Sequence, residues 1–195
     1  KDKDTRSTSV ADVDGDGFVD VVVGNSNQEN QILFGSAGGR TFSEVALPGG
    51  SKDTRSTSVA DVDADGFVDI VVGNGSEENQ VLFGSADGRT FSEVALPGGS
   101  KFTKSTSVAD VDGDGFVDIV LGNWKAENQI LFGSVCSHGG AQLHGKSWCF
   151  KCPSFMGLAG TSCVECLPDF VQQPGSGELC ASDPCPLGER PFGSD

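Results

Sequence analysis

The sequence predicts an all-β fold of three stacked, four-stranded blades, followed by a small cysteine-rich module. A segment of 49 residues occurs three times, beginning at Asp4, Asp53 and Phe102, and its first two copies differ at only seven positions. Each copy contains short runs of β-branched and aromatic residues between Gly and Pro, which is typical of strands joined by tight turns. All seven cysteines lie after residue 135. The chain therefore divides into a repeat region and a cysteine-rich region.

Four strands are predicted in each copy. In the first copy they cover residues 7–13, 18–23, 31–34 and 41–47. A single sheet of this size cannot bury both of its faces, so it must stack on its neighbours. Radial stacking gives a β-propeller, and closed propellers have four to eight blades. Three four-stranded blades therefore predict a partial β-propeller, which upstream blades or other protein chains would complete.

The third copy differs from the others after Phe132-Gly133, where no counterpart of the fourth strand follows. We therefore place three repeats in residues 1–134, at about 4–52, 53–101 and 102–134, and a truncated disulfide module in residues 135–195. A blade without its outer strand exposes unpaired backbone groups, which tend to recruit another strand. That strand could come from elsewhere in the chain or from a partner. Because residue 1 is Lys, we expect this chain to be a processed or truncated piece.

Each copy carries an acidic loop of nine residues between its first two predicted strands. The first loop runs from Asp12 to Asp20 and reads Asp-Val-Asp-Gly-Asp-Gly-Phe-Val-Asp. Carboxylates at positions one, three, five and nine repel one another unless a cation lies among them. Hard oxygen donors at this density suit calcium, which takes six to eight oxygen ligands. The glycine at position six permits a sharp turn, and the carbonyl at position seven could complete the shell.

The sequence therefore predicts three calcium ions, one in each loop. The predicted ligands are Asp12, Asp14, Asp16, Phe18 and Asp20 in the first copy; Asp61, Asp63, Asp65, Phe67 and Asp69 in the second; and Asp110, Asp112, Asp114, Phe116 and Asp118 in the third.

An EF-hand and a metal-free turn are the two other interpretations of the loop. An EF-hand requires a bidentate Glu at position twelve and flanking helices, whereas position twelve here is Val23, Val72 or Leu121 and a strand pattern follows. A metal-free turn built on Asx hydrogen bonds is the other alternative. Three copies that retain every carboxylate favour a calcium loop over such a turn.

Net charge supports the metal interpretation and narrows the classes of partner. The chain carries a formal charge of −15, and the three loops hold twelve of its 28 acidic residues. Three calcium ions would bring the net charge to −9. No basic patch indicates nucleic acid or an anionic membrane, and no run of apolar residues is long enough to span a bilayer.

These motifs resemble the FG-GAP repeat, found in the integrin α-subunit head and in many secreted or surface proteins. The resemblance rests on the Asp-x-Asp-x-Asp-Gly-x-x-Asp loop, the Val-Val-Gly-Asn strand end and the Phe-Gly pairs that begin at Phe34, Phe83 and Phe132. It covers about two-thirds of the chain, although Ser36-Ala37 replaces the family's Gly-Ala-Pro. It implies a calcium-stabilised propeller, in which the ion stiffens the hairpin between the first two strands of a blade.

The cysteine-rich region is predicted to be held together by disulfides. The gaps between its cysteines run 12, 2, 10, 2, 13 and 4 residues, and this alternation suggests three local pairs, although six cysteines allow fifteen pairings. The suggested pairs are Cys136 with Cys149, Cys152 with Cys163, and Cys166 with Cys180, while Cys185 opens a further unit. So few apolar residues cannot form a core unaided, so disulfides and an oxidising compartment are expected.

Zinc is the competing interpretation of these cysteines, because Cys149-x-x-Cys152 and Cys163-x-x-Cys166 form two paired knuckles. Their ten-residue separation is shorter than the usual fifteen to twenty. The region resembles the cysteine-rich modules of ephrin-receptor-like and tumour-necrosis-factor-receptor-like stalks. The two histidines, His138 and His144, belong to no recognisable constellation and are interpreted as solvated.

No catalytic motif is present, so a non-enzymatic function is expected. The leading hypothesis is an extracellular or cell-surface calcium-binding repeat protein that acts in matrix assembly and protein interaction. The alternative is an adhesion or receptor propeller that binds a protein or glycan on a cysteine-rich stalk, and an enzyme with its catalytic domain elsewhere is a weaker third. Trp124 is interpreted either as a ligand contact or as a packing residue, and Asn74-Gly75-Ser76 is a glycosylation sequon.

Overall fold

The computed structural model describes residues 2–135 and the backbone of four short strands further along, at 140–142, 148–151, 156–159 and 162–165. Every regular element in these residues is a β-strand, which confirms the predicted all-β fold. None of the described residues forms a helix long and apolar enough to cross a membrane.

The first two sheets are four-stranded antiparallel meanders, in the strand order β1-β2-β3-β4 and β5-β6-β7-β8. The first comprises β1 (Thr5–Ala11), β2 (Asp20–Asn25), β3 (Gln31–Phe34) and β4 (Ser43–Ala46). The second comprises β5 (Thr54–Ala60), β6 (Asp69–Asn74), β7 (Gln80–Phe83) and β8 (Ser92–Ala95). Their registers are the same, so each sheet is one predicted blade.

The first two strands of each blade lie slightly away from their predicted positions. The predicted strands at 7–13 and 18–23 are shifted, because pairing begins where Ala11 faces Asp20 and residues 12–19 form the acidic loop. Val19 and Phe18 therefore lie in the loop and are exposed. The third strand has its predicted bounds, and the fourth is shorter than predicted at both ends.

The third sheet has five strands in the order β12-β13-β11-β10-β9. They are β9 (Thr103–Ala109), β10 (Asp118–Asn123), β11 (Gln129–Val135), β12 (Gly140–Gln142) and β13 (Trp148–Lys151). A separate hairpin joins β14 (Met156–Ala159) to β15 (Ser162–Glu165).

The open edge that we expected on the third blade is therefore occupied only at residues 132–135, by a strand from elsewhere in the chain, while β13 does not pair with residues 129–131. β13 pairs with residues 132–135 of β11, whereas β4 pairs with all of β3, whose equivalents in the third blade are residues 129–132. The fourth strand of the third blade is thus displaced along the sheet. Sequence comparison of the repeats could not find it, because β13 has no similarity to β4 and begins beyond the predicted boundary at residue 134.

The three blades stack face to face around two apolar cores. The core between the first and second blades includes Phe34 and Ile32 packed against Leu82 and Ile70. The core between the second and third blades includes Phe83 and Val81 packed against Leu121 and Ile119. The middle blade is buried on both sides, so every residue of β6 and β7 is buried.

Candidate metal centre

Each acidic loop brings three of its carboxylates together. One oxygen of each member of a cluster lies within 4.8 Å of an oxygen of the other two. The clusters are Asp12, Asp14 and Asp20; Asp61, Asp63 and Asp69; and Asp110, Asp112 and Asp118. These are positions one, three and nine of the predicted ligand set, which the structure places in one site per blade.

The ninth position connects the loop to the sheet. Asp20 is fully buried, and its two carboxylate oxygens accept hydrogen bonds of 2.7 Å from the backbone N–H groups of Val13 and Gly35. The same contacts recur for Asp69 with Val62 and Gly84, and for Asp118 with Val111 and Gly133. This carboxylate therefore fixes the start of the loop against the end of the third strand.

This arrangement explains the glycine of the Phe-Gly pair. A Cβ atom at Gly35 would lie 2.4 Å from the carbonyl oxygen of Val19, and one at Gly84 would lie equally close to the carbonyl of Val68. Only a residue without a side chain lets the backbone amide approach the buried Asp. The preceding Phe34 fills the apolar core, so the pair combines a core anchor with an amide donor.

The fifth position has a different role from the other three. Asp16 lies outside the cluster, and its Oδ1 accepts a hydrogen bond of 2.9 Å from the backbone N–H of Phe18. Asp65 and Asp114 make the same Asx turn with Phe67 and Phe116. The predicted ligand roles of the fifth carboxylate and of the Phe carbonyl stay predictions.

The Asp at the first position shapes the turn, and in the first loop one of its oxygens has no hydrogen bond, whereas Asp61 Oδ1 and Asp110 Oδ1 accept backbone N–H groups. Asp12 Oδ2 accepts a hydrogen bond of 2.8 Å from Gly17 N–H, and Gly17 has a φ of 88°, the left-handed conformation that glycine adopts readily. The other oxygen, Asp12 Oδ1, is buried and has no hydrogen-bond partner among the described residues. A buried carboxylate oxygen without a donor is costly, and a cation at this point would satisfy it.

Electrostatics in the second loop indicate the same need for positive charge. Burial raises the pKa of Asp69 to about 7, against the opposing effect of hydrogen bonds from Gly84 and Val62, and the carboxylates of Asp63 and Asp65 raise it further. A cation among these groups would favour the ionised form. The donor set therefore fits a hard divalent cation such as calcium.

A contact between blades, which the sequence did not predict, closes over the first loop. Arg89 of the second blade donates a hydrogen bond of 2.5 Å from Nη2 to Asp14 Oδ2, and its guanidinium lies over the ring of Phe34 at 4.4 Å. A Cβ atom at Gly88 would lie 2.3 Å from Asp14 Cα. The first loop is therefore held against its neighbouring blade, by residues 75 positions apart in the sequence.

Several other predicted residues are outside the part of the chain described at side-chain level. Cys136, Cys152, Cys166, Cys180, Cys185, His138 and His144 lie outside the described residues. Cys149 lies in β13 and Cys163 in β15, where the backbone alone is described. The disulfide pairing therefore stays a prediction.

The glycosylation sequon at Asn74 does not fit the fold. Asn74 is fully buried. Its Nδ2 donates to the carbonyl of Glu78 at 2.8 Å, and its Oδ1 accepts from Thr54 Oγ1 at 3.0 Å. A glycan on Asn74 would have to displace these contacts, so this residue serves the structure of the turn.

Comparison with protein families defines the class to which these blades belong. The FG-GAP-like repeat matches residues 12–72 and again residues 61–121, so the two matches cover more than half of the chain. The chain belongs to the FG-GAP-like repeat family. A comparison with curated proteins gives no match.

Proposed function

We propose that this protein is a non-enzymatic, calcium-binding repeat protein that acts in extracellular or cell-surface assembly and protein interaction. The observation that carries the proposal is Asp12 Oδ1, a buried carboxylate oxygen without a hydrogen-bond partner inside a cluster of three carboxylates. Repetition of the cluster in all three blades supports one ion per loop, three in all. Membership of the FG-GAP-like repeat family supports a repeat protein of the adhesion type.

The proposed role of calcium is structural. Each loop joins the first two strands of a blade, and its ninth residue is hydrogen-bonded to the end of the third strand. An ion held by positions one, three and nine would neutralise their repulsion and connect all three strands. The Asp at position five and the Phe carbonyl at position seven are the further ligands proposed from the sequence.

An extracellular location is proposed from the composition of the chain. Calcium sites of extracellular modules bind at roughly 10⁻⁴–10⁻³ M, which requires the calcium concentration found outside cells. Seven cysteines in the last sixty residues suit an oxidising compartment, where they would form disulfides. Non-reducing peptide mapping tests this part of the proposal, and stoichiometric zinc on reduced cysteines would contradict it.

Titration calorimetry of the whole chain with calcium tests the metal sites. We expect three ions per chain and a loss of one ion in each of Asp12→Asn, Asp61→Asn and Asp110→Asn, because each substitution removes a charged oxygen from one cluster. Asp2→Asn is the matched control, since Asp2 is exposed and lies outside the loops. Absence of calcium uptake at millimolar concentration, or equal uptake by every variant, would disprove the proposal.

A ligand-binding propeller is the second candidate, and the surface around Trp124 favours it. Trp124 is 51% exposed and packs edge-on against Phe102 at 5.4 Å. The ammonium groups of Lys125 and Lys104 lie 4.4 and 5.7 Å from the indole ring. An exposed aromatic ring beside two cations suits an acidic protein or glycan. Binding of an acidic protein or glycan to the original chain, and its loss in Trp124→Ser, would support this candidate. Equal binding by the original chain and the variant would exclude it.

A further inference from the structure

The contact between Arg89 and Asp14 brings a permanent positive charge to a candidate calcium ligand. Arg89 lies in the turn between β7 and β8, and Asp14 is the third residue of the first acidic loop. Arg89 Nη2 donates to Asp14 Oδ2 at 2.5 Å, and the side chain of Asp14 is only 4% exposed. A guanidinium group is not deprotonated in proteins. The second blade therefore supplies one fixed positive charge to the first loop.

The turn that carries Arg89 is built around a second carboxylate, that of Asp87. Asp87 Oδ1 accepts hydrogen bonds from the backbone N–H groups of Arg89 and Thr90 at 2.9 and 2.8 Å, and its Oδ2 accepts one from Thr90 Oγ1 at 2.6 Å. These hydrogen bonds, above all the one from the Thr90 side chain, hold the pKa of Asp87 well below its ordinary range. The first blade has Gly38 at this position. Asp87 is thus one of the few differences between the first two repeats, and it orders the turn that reaches the first loop.

Two further contacts hold the turn and its guanidinium against the loop. The guanidinium carbon lies 4.4 Å from the centre of the Phe34 ring, which makes a cation–π contact. Gly88 has a φ of 62°, and a Cβ atom there would lie 2.3 Å from Asp14 Cα. The backbone of the turn therefore packs directly on the backbone of the loop, with no room for a side chain between them.

The charge of Arg89 acts on the whole carboxylate cluster of the first loop. Asp14 belongs to this cluster with Asp12 and Asp20, and one oxygen of each lies within 4.8 Å of an oxygen of the other two. Without a metal ion these carboxylates repel one another, and Arg89 compensates part of the repulsion. With a calcium ion in the cluster, the guanidinium and the ion are two like charges beside one carboxylate. The arginine therefore stabilises the metal-free loop and opposes binding of the ion.

We propose that Arg89 is a counter-ion built into the first loop, which lowers the calcium affinity of that loop and neutralises part of its charge when calcium is scarce. This inference rests on the calcium binding proposed above and names a residue that adjusts it. The third repeat loses its similarity to the others after Gly133, before the position that corresponds to Arg89. The repeat pattern therefore provides no counterpart of this arginine for the second loop, which can serve as an internal reference.

Calcium titration of a chain with one remaining loop tests the affinity. Asp61→Asn with Asp110→Asn leaves the first loop, and in this background we expect Arg89→Gln to lower the calcium Kd about tenfold, because a unit charge close to the ion is removed. Arg89→Lys keeps the charge and should bind calcium nearly as the parent does. Arg40→Gln is the matched control, since Arg40 is the equivalent residue of the first blade and is exposed. Unchanged or weaker binding by Arg89→Gln would overturn the proposal.

The second loop shows whether the effect is local. Asp12→Asn with Asp110→Asn leaves the second loop, and in this background we expect Arg89→Gln to change the calcium Kd much less than in the first loop. The reason is that Arg89 is bonded to a carboxylate of the first cluster. Equal tightening of both loops would indicate a general effect of net charge and would contradict a role for the contact with Asp14.

Unfolding in chelator tests the counter-ion without calcium. Arg89→Gln should lower the urea midpoint, because the loop carboxylates lose their compensating charge, and it should have a smaller effect once Asp14→Asn has removed the partner. In excess calcium the loss should also be smaller, since the ion then neutralises the loop. An equal loss in chelator and in calcium would identify an ordinary structural ion pair and would overturn the proposal.

Failure of this inference can be told apart from failure of the proposed function. If the original chain takes up no calcium, the calcium-binding function is disproved, and the effect of Arg89 on affinity is disproved with it. If the original chain takes up three ions and Arg89→Gln does not tighten the first site, the role of Arg89 alone is disproved. The side chain of Arg89 is 51% exposed, so its variants should fold, and far-ultraviolet circular dichroism checks this.

Discussion

Ala64 is the residue at which the second loop differs from the other two. It has a φ of 58°, whereas Gly15 and Gly113 occupy the same position of their loops at 71° and 79°. The left-handed conformation costs a residue with a Cβ atom about 1–2 kcal/mol. Ala64 is exposed, so burial of its side chain does not offset this strain. The second loop therefore has a backbone strain that the first and third loops, with glycine at this position, do not have.

We expect Ala64→Gly to stabilise the protein by about 0.5–1 kcal/mol. Relief of the left-handed strain is partly offset by the larger chain entropy of glycine in the unfolded state, about 0.4–1 kcal/mol. Urea denaturation measures the free energy of unfolding. Gly15→Ala is the matched control, because it makes the reverse change at the same loop position and should destabilise by a similar amount. Two changes of the same sign would contradict this account.

At the scale of the strand and the loop, buried polar groups fix the register. The ninth Asp of each loop accepts hydrogen bonds from two backbone N–H groups, one at the start of the loop and one just after the third strand. The side chain of Asn79 makes two different contacts. Its Oδ1 accepts a hydrogen bond from Asn74 N–H at 2.8 Å, which closes the turn between β6 and β7. Its Nδ2 donates to Thr103 Oγ1, which connects the second blade to the third. Since these groups are buried, a misplaced strand would leave them unsatisfied.

Asn79→Ala should lower the free energy of unfolding by about 2 kcal/mol. The substitution leaves the buried Asn74 N–H without an acceptor, and an unsatisfied buried group costs about 1–3 kcal/mol. It also removes the donor to Thr103 Oγ1, although that hydroxyl keeps its own hydrogen bond to Asn123 Oδ1. Glu78→Ala is the control: its side chain is exposed, so a change within about 0.5 kcal/mol is expected. Chemical denaturation of both variants measures the free energy of unfolding. Equal losses in the two variants would show that the hydrogen bonds of Asn79 contribute nothing to stability.

At the scale of the whole molecule, acidity and metal binding are linked. Twelve carboxylates of the three loops account for much of the net charge of −15, and self-repulsion of such a chain opposes the compact state. In the proposed calcium form the ions would lower this repulsion and hold the strands of each blade together. Calcium would then contribute to the stability of the native state as a ligand that the unfolded chain does not bind.

Removal of calcium should lower the melting temperature. A site at a hundredfold excess of ligand over Kd contributes about 2.7 kcal/mol, and a chain of this size loses roughly 2–4 °C per kcal/mol. Three sites therefore predict a decrease of more than 10 °C when chelator replaces calcium in differential scanning calorimetry. Magnesium at equal concentration is the control and should restore little, because it prefers to keep its waters. Identical melting in calcium and chelator would refute the structural role.

The amino-acid sequence by itself determined the repeats, the all-β class and the three acidic loops. These features depend on local patterns: alternating apolar residues, glycines at turns and carboxylates at fixed spacing within nine residues. The sequence also predicted that blades must stack, because one small sheet cannot bury both faces.

The tertiary structure alone decided which groups from distant parts of the chain meet. It places β13 at the edge of the third blade, Arg89 on Asp14 of the neighbouring loop, and Asn30 on Thr54 across the first interface. It also separates the four predicted carboxylates into three that converge and one, Asp16, that caps a turn. No local pattern carries this information. Each contact depends on how one sheet is placed against the next and on which carboxylate oxygens accept hydrogen bonds from backbone N–H groups.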